Sequence, residues 1–152
     1  MRIGLIVDDR DICFSELASF AKQIAAWLQH ETGGNTRRVG VLGSRSLEVY
    51  AGIIGTCWTG AAYVPLNPAH PPSRLANMIS QARLDTLIVD AAGQQILTGE
   101  LLDVCPDSIL VPESDNDRLH GHDVLDKCTP AGPPVMMPLD KLAYIIFTSG
   151  TT

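Results

Sequence analysis

Alternation constrains this chain more than any other feature. Short apolar runs of strand type are separated by stretches in which apolar residues recur every three or four positions. Arg38-Val39-Gly40-Val41-Leu42 is one such run, and after the polar turn Gly43-Ser44-Arg45-Ser46, residues Leu47, Tyr50, Ile54 and Trp58 share a helical face. Gly60 supplies a stop, Ala61 to Val64 an extended segment, and Pro72 a first helical turn ahead of Leu75, Met78, Ile79 and Ala82. Because proline has no N–H to give a ladder, Pro65 and Pro68 predict that the extended segment leaves the sheet there. Thr86 to Val89 and Ser108 to Val111 read as further strands around a helix from Gln94 to Val104, and Leu142 to Phe147 as the last strand. Strands alternating with helices predict an α/β fold, a largely parallel sheet flanked by helices on both faces. In such sheets ligands bind beyond the carboxyl ends of the strands.

The chain opens differently. Ile3 to Val7 and Ile12 to Phe14 read as a hairpin around the acidic turn Asp8-Asp9-Arg10-Asp11. Ser15 is the expected N-cap of a helix whose apolar face is Leu17, Phe20, Ala21, Ile24 and Leu28, ended by Gly33-Gly34-Asn35. From residue 112 to 140 no period is sustained, and prolines and glycines are scattered among acidic residues. That stretch is expected to be a long surface loop returning the chain to the sheet.

Charge and cysteine content remove several functional classes. Eleven basic against seventeen acidic residues leave a formal charge of −6, so the chain lacks the electrostatic footprint of a nucleic-acid binder. Local backbone donors and Mg²⁺ can still hold a nucleotide phosphate. Cys13, Cys57, Cys105 and Cys128 form no C-x-x-C pair and read as free, reduced thiols. His120-x-His122 lacks a thiol or carboxylate at ligand spacing, so no metal site is assigned to it. No apolar stretch approaches the roughly 20 residues a membrane span needs, and the opening apolar run is too short for a signal peptide. The expected location is the cytoplasm.

The chemistry concentrates in the final residues, Tyr144-Ile145-Ile146-Phe147-Thr148-Ser149-Gly150-Thr151-Thr152. An apolar run delivers the backbone into four hydroxyl side chains around one glycine, a composition suited to enclosing an anion with side-chain hydroxyls and successive N–H groups. The Walker lysine is absent, so this is not that kind of phosphate loop. The pattern Tyr-x-x-Phe-Thr-Ser-Gly-Thr-Thr resembles the phosphate-loop signature of the adenylate-forming superfamily, which includes acyl-CoA synthetases, luciferases and the amino-acid adenylation domains of nonribosomal peptide synthetases. In those proteins it continues Gly-x-Pro-Lys-Gly. A second resemblance lies in Gly60-Ala61-Ala62-Tyr63-Val64-Pro65-Leu66-Asn67-Pro68, followed by Pro71, Pro72, Arg74 and Leu75. It is similar to the Gly-Ala-Tyr-Val-Pro-Leu-Asp-Pro segment of amino-acid adenylation domains. Asn67 stands where that class has Asp, and Cys57-Trp58-Thr59 replaces its Leu-Lys-Ala. Phe14-Ser15-Glu16-Leu17 is similar to the Tyr-x-Glu-Leu that opens the family's first helix.

The resemblance runs along nearly the whole chain. It implies the N-terminal part of the large domain of the adenylate-forming fold, with residues 1–152 a partial adenylation domain. It further implies ATP-dependent activation of a carboxylic acid, foremost an amino acid, as an acyl-adenylate. The acyl group would then pass to the phosphopantetheine thiol of a carrier protein. Thr148, Ser149, Gly150, Thr151 and Thr152 would bind the ATP phosphates, with Mg²⁺ implied. Tyr144 and Phe147 are expected in the core. The family's catalytic lysines and acidic residues fall beyond Thr152, so the 152 residues alone are expected to be inactive and to expose apolar surface. An acyl- or aryl-CoA ligase of the same superfamily, and a non-catalytic remnant or interaction module, are the alternatives.

Overall fold

The computed structural model describes residues 2–111 and 121–148. It begins with an antiparallel ribbon of β1 (Ile3–Val7) and β2 (Arg10–Cys13). Asp8 and Asp9 take φ of 47° and 60°, the left-handed pair that a two-residue hairpin turn needs for its twist to match the strands. The second strand therefore ends one step earlier than the sequence suggested, and Phe14 already begins α1 (Phe14–Glu31). Cys13 caps that helix in place of Ser15: its sulfur accepts from Glu16 N, and the Ser15 hydroxyl lies 2.9 Å from the same sulfur. The glycine pair ends the helical stretch as expected, with Gly33 and Gly34 at positive φ.

Four strands then build a parallel sheet in the order β4-β3-β5-β6, from β3 (Arg38–Leu42), β4 (Ala62–Leu66), β5 (Thr86–Val89) and β6 (Ser108–Leu110). The near-continuous apolar character of β5 follows from burial on both faces. Ile88 and Val39 join Trp27, Ile24 and Leu28 of α1 in one core. Leu87, Val89 and Leu42 join Leu75 and Ile79 of α3 (Pro72–Ala82) in the other. The period of two along each strand thus divides the interior into two layers, and helices cover both faces.

On the first face α1 packs against α2 (Leu47–Thr59), and here the predicted face is displaced. Ala51, Gly52, Gly55 and Thr56 are buried, while Leu47, Tyr50 and Ile54 flank the contact half-buried. The cause is proximity, since a Cβ on Gly55 would stand 2.8 Å from the carbonyl oxygen of Ala21. Small residues let the helices approach, and the large ones close the sides. Gly60, at φ 78°, ends the helix as predicted.

Pro65 corrects another expectation, because it lies inside β4, paired with Val41. Ala62 N bonds Arg37 O and Gly43 N bonds Leu66 O, so the backbone groups of even-numbered residues of β4 face β3 and those of odd-numbered ones face outward. β4 is an edge strand of this sheet, and the N–H that proline lacks would have pointed away from it. Pro72 opens α3, whose face of Leu75, Met78, Ile79 and Ala82 is buried as expected.

The helix expected over residues 94–104 is two short ones, α4 (Ala91–Ile96) and α5 (Glu100–Asp103). Gly99 at φ 52° breaks the path, yet Leu97 and Leu101 are both buried on the second face. Within residues 112–140, of which 121–140 are described, α6 (His122–Lys127) interrupts the irregular path and seats Leu125 wholly in the first core. His120 lies outside the described residues.

The last expected strand, Leu142 to Phe147, makes one bridge only. Tyr63 N donates to Ala143 O (3.2 Å) and Ile145 N to Tyr63 O (3.0 Å), a parallel pairing on the outer edge of β4. The next donor on that edge would be residue 65, and it is proline. The ladder stops for want of an N–H. Tyr144 is correspondingly 52% exposed, against its expected place in the core, with its ring centroid 5.8 Å from that of Tyr63. Ile145 and Phe147 pack onto the second core.

Candidate functional site

Two places at the carboxyl ends of the strands carry polar chemistry. The first is the crevice between β3 and β5, where the connections part: β3 feeds α2 on the first face and β5 feeds α4 on the second. Such a switch point is where open parallel sheets place ligands. Here a cleft of about 440 Å³ opens, lined among others by Asp8, Arg10, Ser44, Arg45, Ser46 and Asp90. Three backbone donors around it are engaged by side chains. Asp90, 3% exposed, caps α4 by accepting from Gly93 N at Oδ1 and holds Ser44 N at Oδ2, both at 2.8 Å. Ser46 takes Val49 N of α2 onto its hydroxyl. A Cβ on Gly43 would come within 2.5 Å of the Asp90 carboxylate, so only glycine leaves room for the tie. Asp90 therefore ties the turn after β3 to the start of α4, and its carboxylate is committed to the backbone. Sequence reading passes over this residue, although a carboxylate between an apolar strand and a helix is an N-cap signal.

The second place is the chain's return along β4. Because the Tyr63–Tyr144 bridge is parallel, the segment runs in the direction of the strand, toward its carboxyl end. Thr148 lies four residues past the bridge, as Asn67, just beyond β4, lies four past Tyr63. Thr148 is exposed at this rim. Of the predicted phosphate-binding residues it alone is described; Ser149, Gly150, Thr151 and Thr152 lie outside the described residues. The segment that leads to them is bare on its outer side, where Met136, Leu139, Leu142, Tyr144 and Ile146 are all at least half exposed.

The thiols stand apart from both places. The Ser15 hydroxyl and then the Glu16 N–H hold the Cys13 thiol below its ordinary pKa, whereas burial pushes Cys105 up to about 11. Among the described residues no group of three or more His, Cys, Asp or Glu gathers as a metal site, and no helix is long and apolar enough to cross a membrane.

Comparison with known proteins adds the relatives. The chain is 32% identical over 151 residues to a dimodular nonribosomal peptide synthase of Bacillus subtilis (strain 168), covering 99% of this chain and 6% of that protein. It is 31% identical over 154 residues to malpinin synthetase of Mortierella alpina, covering 99% of this chain and 2% of that one. The chain thus spans only a small part of the curated relatives it matches. Among solved structures, it superposes on the anthranilate CoA ligase AuaEII in complex with anthranoyl-AMP with a TM-score of 0.87 at 19% identity, over 99% of this chain and 30% of that one. With IdnL7 the TM-score is 0.77 at 28% identity, over 94% and 29%. The sequence model of AMP-binding enzymes matches residues 2–152, and the chain belongs to that family.

Proposed function

We propose that this chain supplies the phosphate-binding side of an ATP-dependent ligase that activates a carboxylic acid, foremost an amino acid, as its adenylate. The acyl group is then delivered to the phosphopantetheine thiol of a carrier protein. The observation that carries the reading is the single parallel bridge on β4, which brings the chain to Thr148 at the carboxyl-end rim of the sheet, where Thr148 opens, in sequence, the run Thr148-Ser149-Gly150-Thr151-Thr152. Thr148, Ser149, Thr151 and Thr152 would present hydroxyl donors to the ATP phosphates, and Gly150 would permit close backbone approach. Bound ATP supplies the electrophilic phosphorus and the pyrophosphate leaving group. Donors fixed in advance where negative charge collects stabilise the transition state more than the ground state. No residue beside Thr148 is assigned as a base, so these hydroxyls position and neutralise rather than move protons. Mg²⁺ would accompany the phosphates, but no protein ligands are assigned to it.

The amino-acid substrate is supported by the Ala62-Tyr63-Val64-Pro65 run and by the nonribosomal peptide synthase among the relatives. The test is a titration with MgATP, comparing the wild-type chain with the double variant Ser149→Ala, Thr151→Val. Two lost hydroxyl donors, at about 1 kcal/mol each, weaken binding roughly thirtyfold. Equal affinities, or no binding by the wild type, would overturn the reading. Substrate-dependent ATP–pyrophosphate exchange is expected to be absent from the 152 residues alone.

A further inference from the structure

The single bridge that leads the chain to Thr148 is a weak register device. Its two hydrogen bonds are not continued, because Pro65 has no N–H to offer, and a slip of two residues would leave the same side chains facing the same way. Something else must hold the segment in place, and the structure shows where. Upstream, the crossing is fastened to the end of α2. The Trp58 indole N–H donates to Gly132 O at 2.7 Å, and Trp58 O accepts from Val135 N at 3.0 Å. Lys22, whose ammonium sits 5.5 Å from the Trp58 ring centroid, accepts Ala131 N on its own carbonyl. Two residues past Val135, the thioether of Met137 fills the space that a Cβ of Gly60 would take. Pro133, Pro134 and Pro138 limit the slack between these fastenings and the bridge. Trp58, Gly60 and Tyr63 thus form one continuous rail along which residues 132–145 are laid.

We propose that Trp58 is a positioning residue: its indole and carbonyl clamp the crossing segment so that Tyr144 meets Tyr63, and so fix the direction in which Thr148 leaves the β4 edge. The functional consequence rests on the phosphate-loop reading, but the clamp itself does not. It also gives Trp58 a role at a position where the resembling class has a different residue.

The experiment uses Trp58→Phe, which keeps an aromatic ring beside Lys22 and removes the indole donor together with the pyrrole ring that carries it. NMR of the chain follows Tyr63–Tyr144 ring contacts, protection of the Ile145 amide and, as a reference for global stability, the β5 amides. The expected result is loss of the ring contacts and at least tenfold faster exchange at Ile145, with β5 unchanged and the MgATP dissociation constant raised about fivefold. Thr59→Ala, which removes a hydroxyl bonded within α2 to Thr56 O, controls for loosening of the helix end. Unchanged Tyr63–Tyr144 contacts in Trp58→Phe, or the same losses in Thr59→Ala, overturn the proposal. If the wild type shows no MgATP response while Trp58→Phe still frees Ile145, the phosphate reading fails and the clamp stands. A MgATP response with Ile145 unmoved does the reverse.

Discussion

Replacing Asp90 tests how the carboxyl-end rim is held together. The carboxylate is 3% exposed and accepts one backbone N–H on each oxygen, Gly93 at 2.8 Å and Ser44 at 2.8 Å. In Asp90→Ala, α4 loses its N-cap bond, which leaves the buried Gly93 N–H without an acceptor, a single loss of about 1–3 kcal/mol. Ser44 is exposed, so its N–H recovers a water and adds little. A loss of roughly 1–3 kcal/mol lowers the thermal midpoint of a chain of this size by roughly 3–10 °C. Asp90→Asn separates the two contacts. An amide offers one oxygen and one NH₂, so it satisfies either Ser44 or Gly93 while presenting a donor to the other, and should lose roughly half as much. Circular dichroism melts and urea midpoints at unchanged slope would measure both variants. An Asp90→Ala midpoint within about 2 °C of wild type would refute the argument, as would Asp90→Asn at full stability.

Gly55→Ala should lower stability by about 1–2 kcal/mol in urea titration: the clash with Ala21 O outweighs the gain of roughly 0.8–1 kcal/mol in helix propensity. A stabilised variant would show that α1 and α2 can part freely. Thiolate is the reactive form, so iodoacetamide near pH 8 should label Cys13 first among the four cysteines and Cys105 last, as mass spectrometry of peptides would reveal. As pH rises toward 11 the advantage of Cys13 over Cys105 should shrink; a constant ratio would contradict the assigned causes. Pro65→Ala restores the missing donor on the outer edge of β4, and should extend the single bridge so that the amides of position 65 and of Phe147 become protected from exchange.

Much of this architecture is legible because burial on both faces writes itself as apolar runs. Arg38–Leu42 and Thr86–Val89 can be read with their observed ends, and the face of α3 residue by residue. The misreadings share a cause: periodicity registers large apolar side chains and is blind to close approach. In α2 the close approaches are made by Gly55 against α1 and Gly52 against Val41 and Ile88 of the sheet, glycines that carry no hydrophobic signal, while Leu47, Tyr50 and Ile54 carry the signal and only flank the contact. Pro65 is legible as a missing donor. That its N–H would face outward depends on strand order, a tertiary fact that decides both that β4 tolerates it and that Leu142–Phe147 does not become a strand. Of the site, the sequence shows the hydroxyl run and its apolar lead. The fastening of that lead to Trp58 spans 74 positions in the chain and leaves no local pattern.

The most direct test of the account is where a nucleotide touches this chain. With MgATP added to the isotopically labelled protein, amide shift changes should centre on Thr148 to Thr152 and fade along β4, leaving Ser44, Arg45 and Asp90 at their starting positions. Shifts centred instead on the crevice between β3 and β5, with the hydroxyl run unmoved, would contradict it.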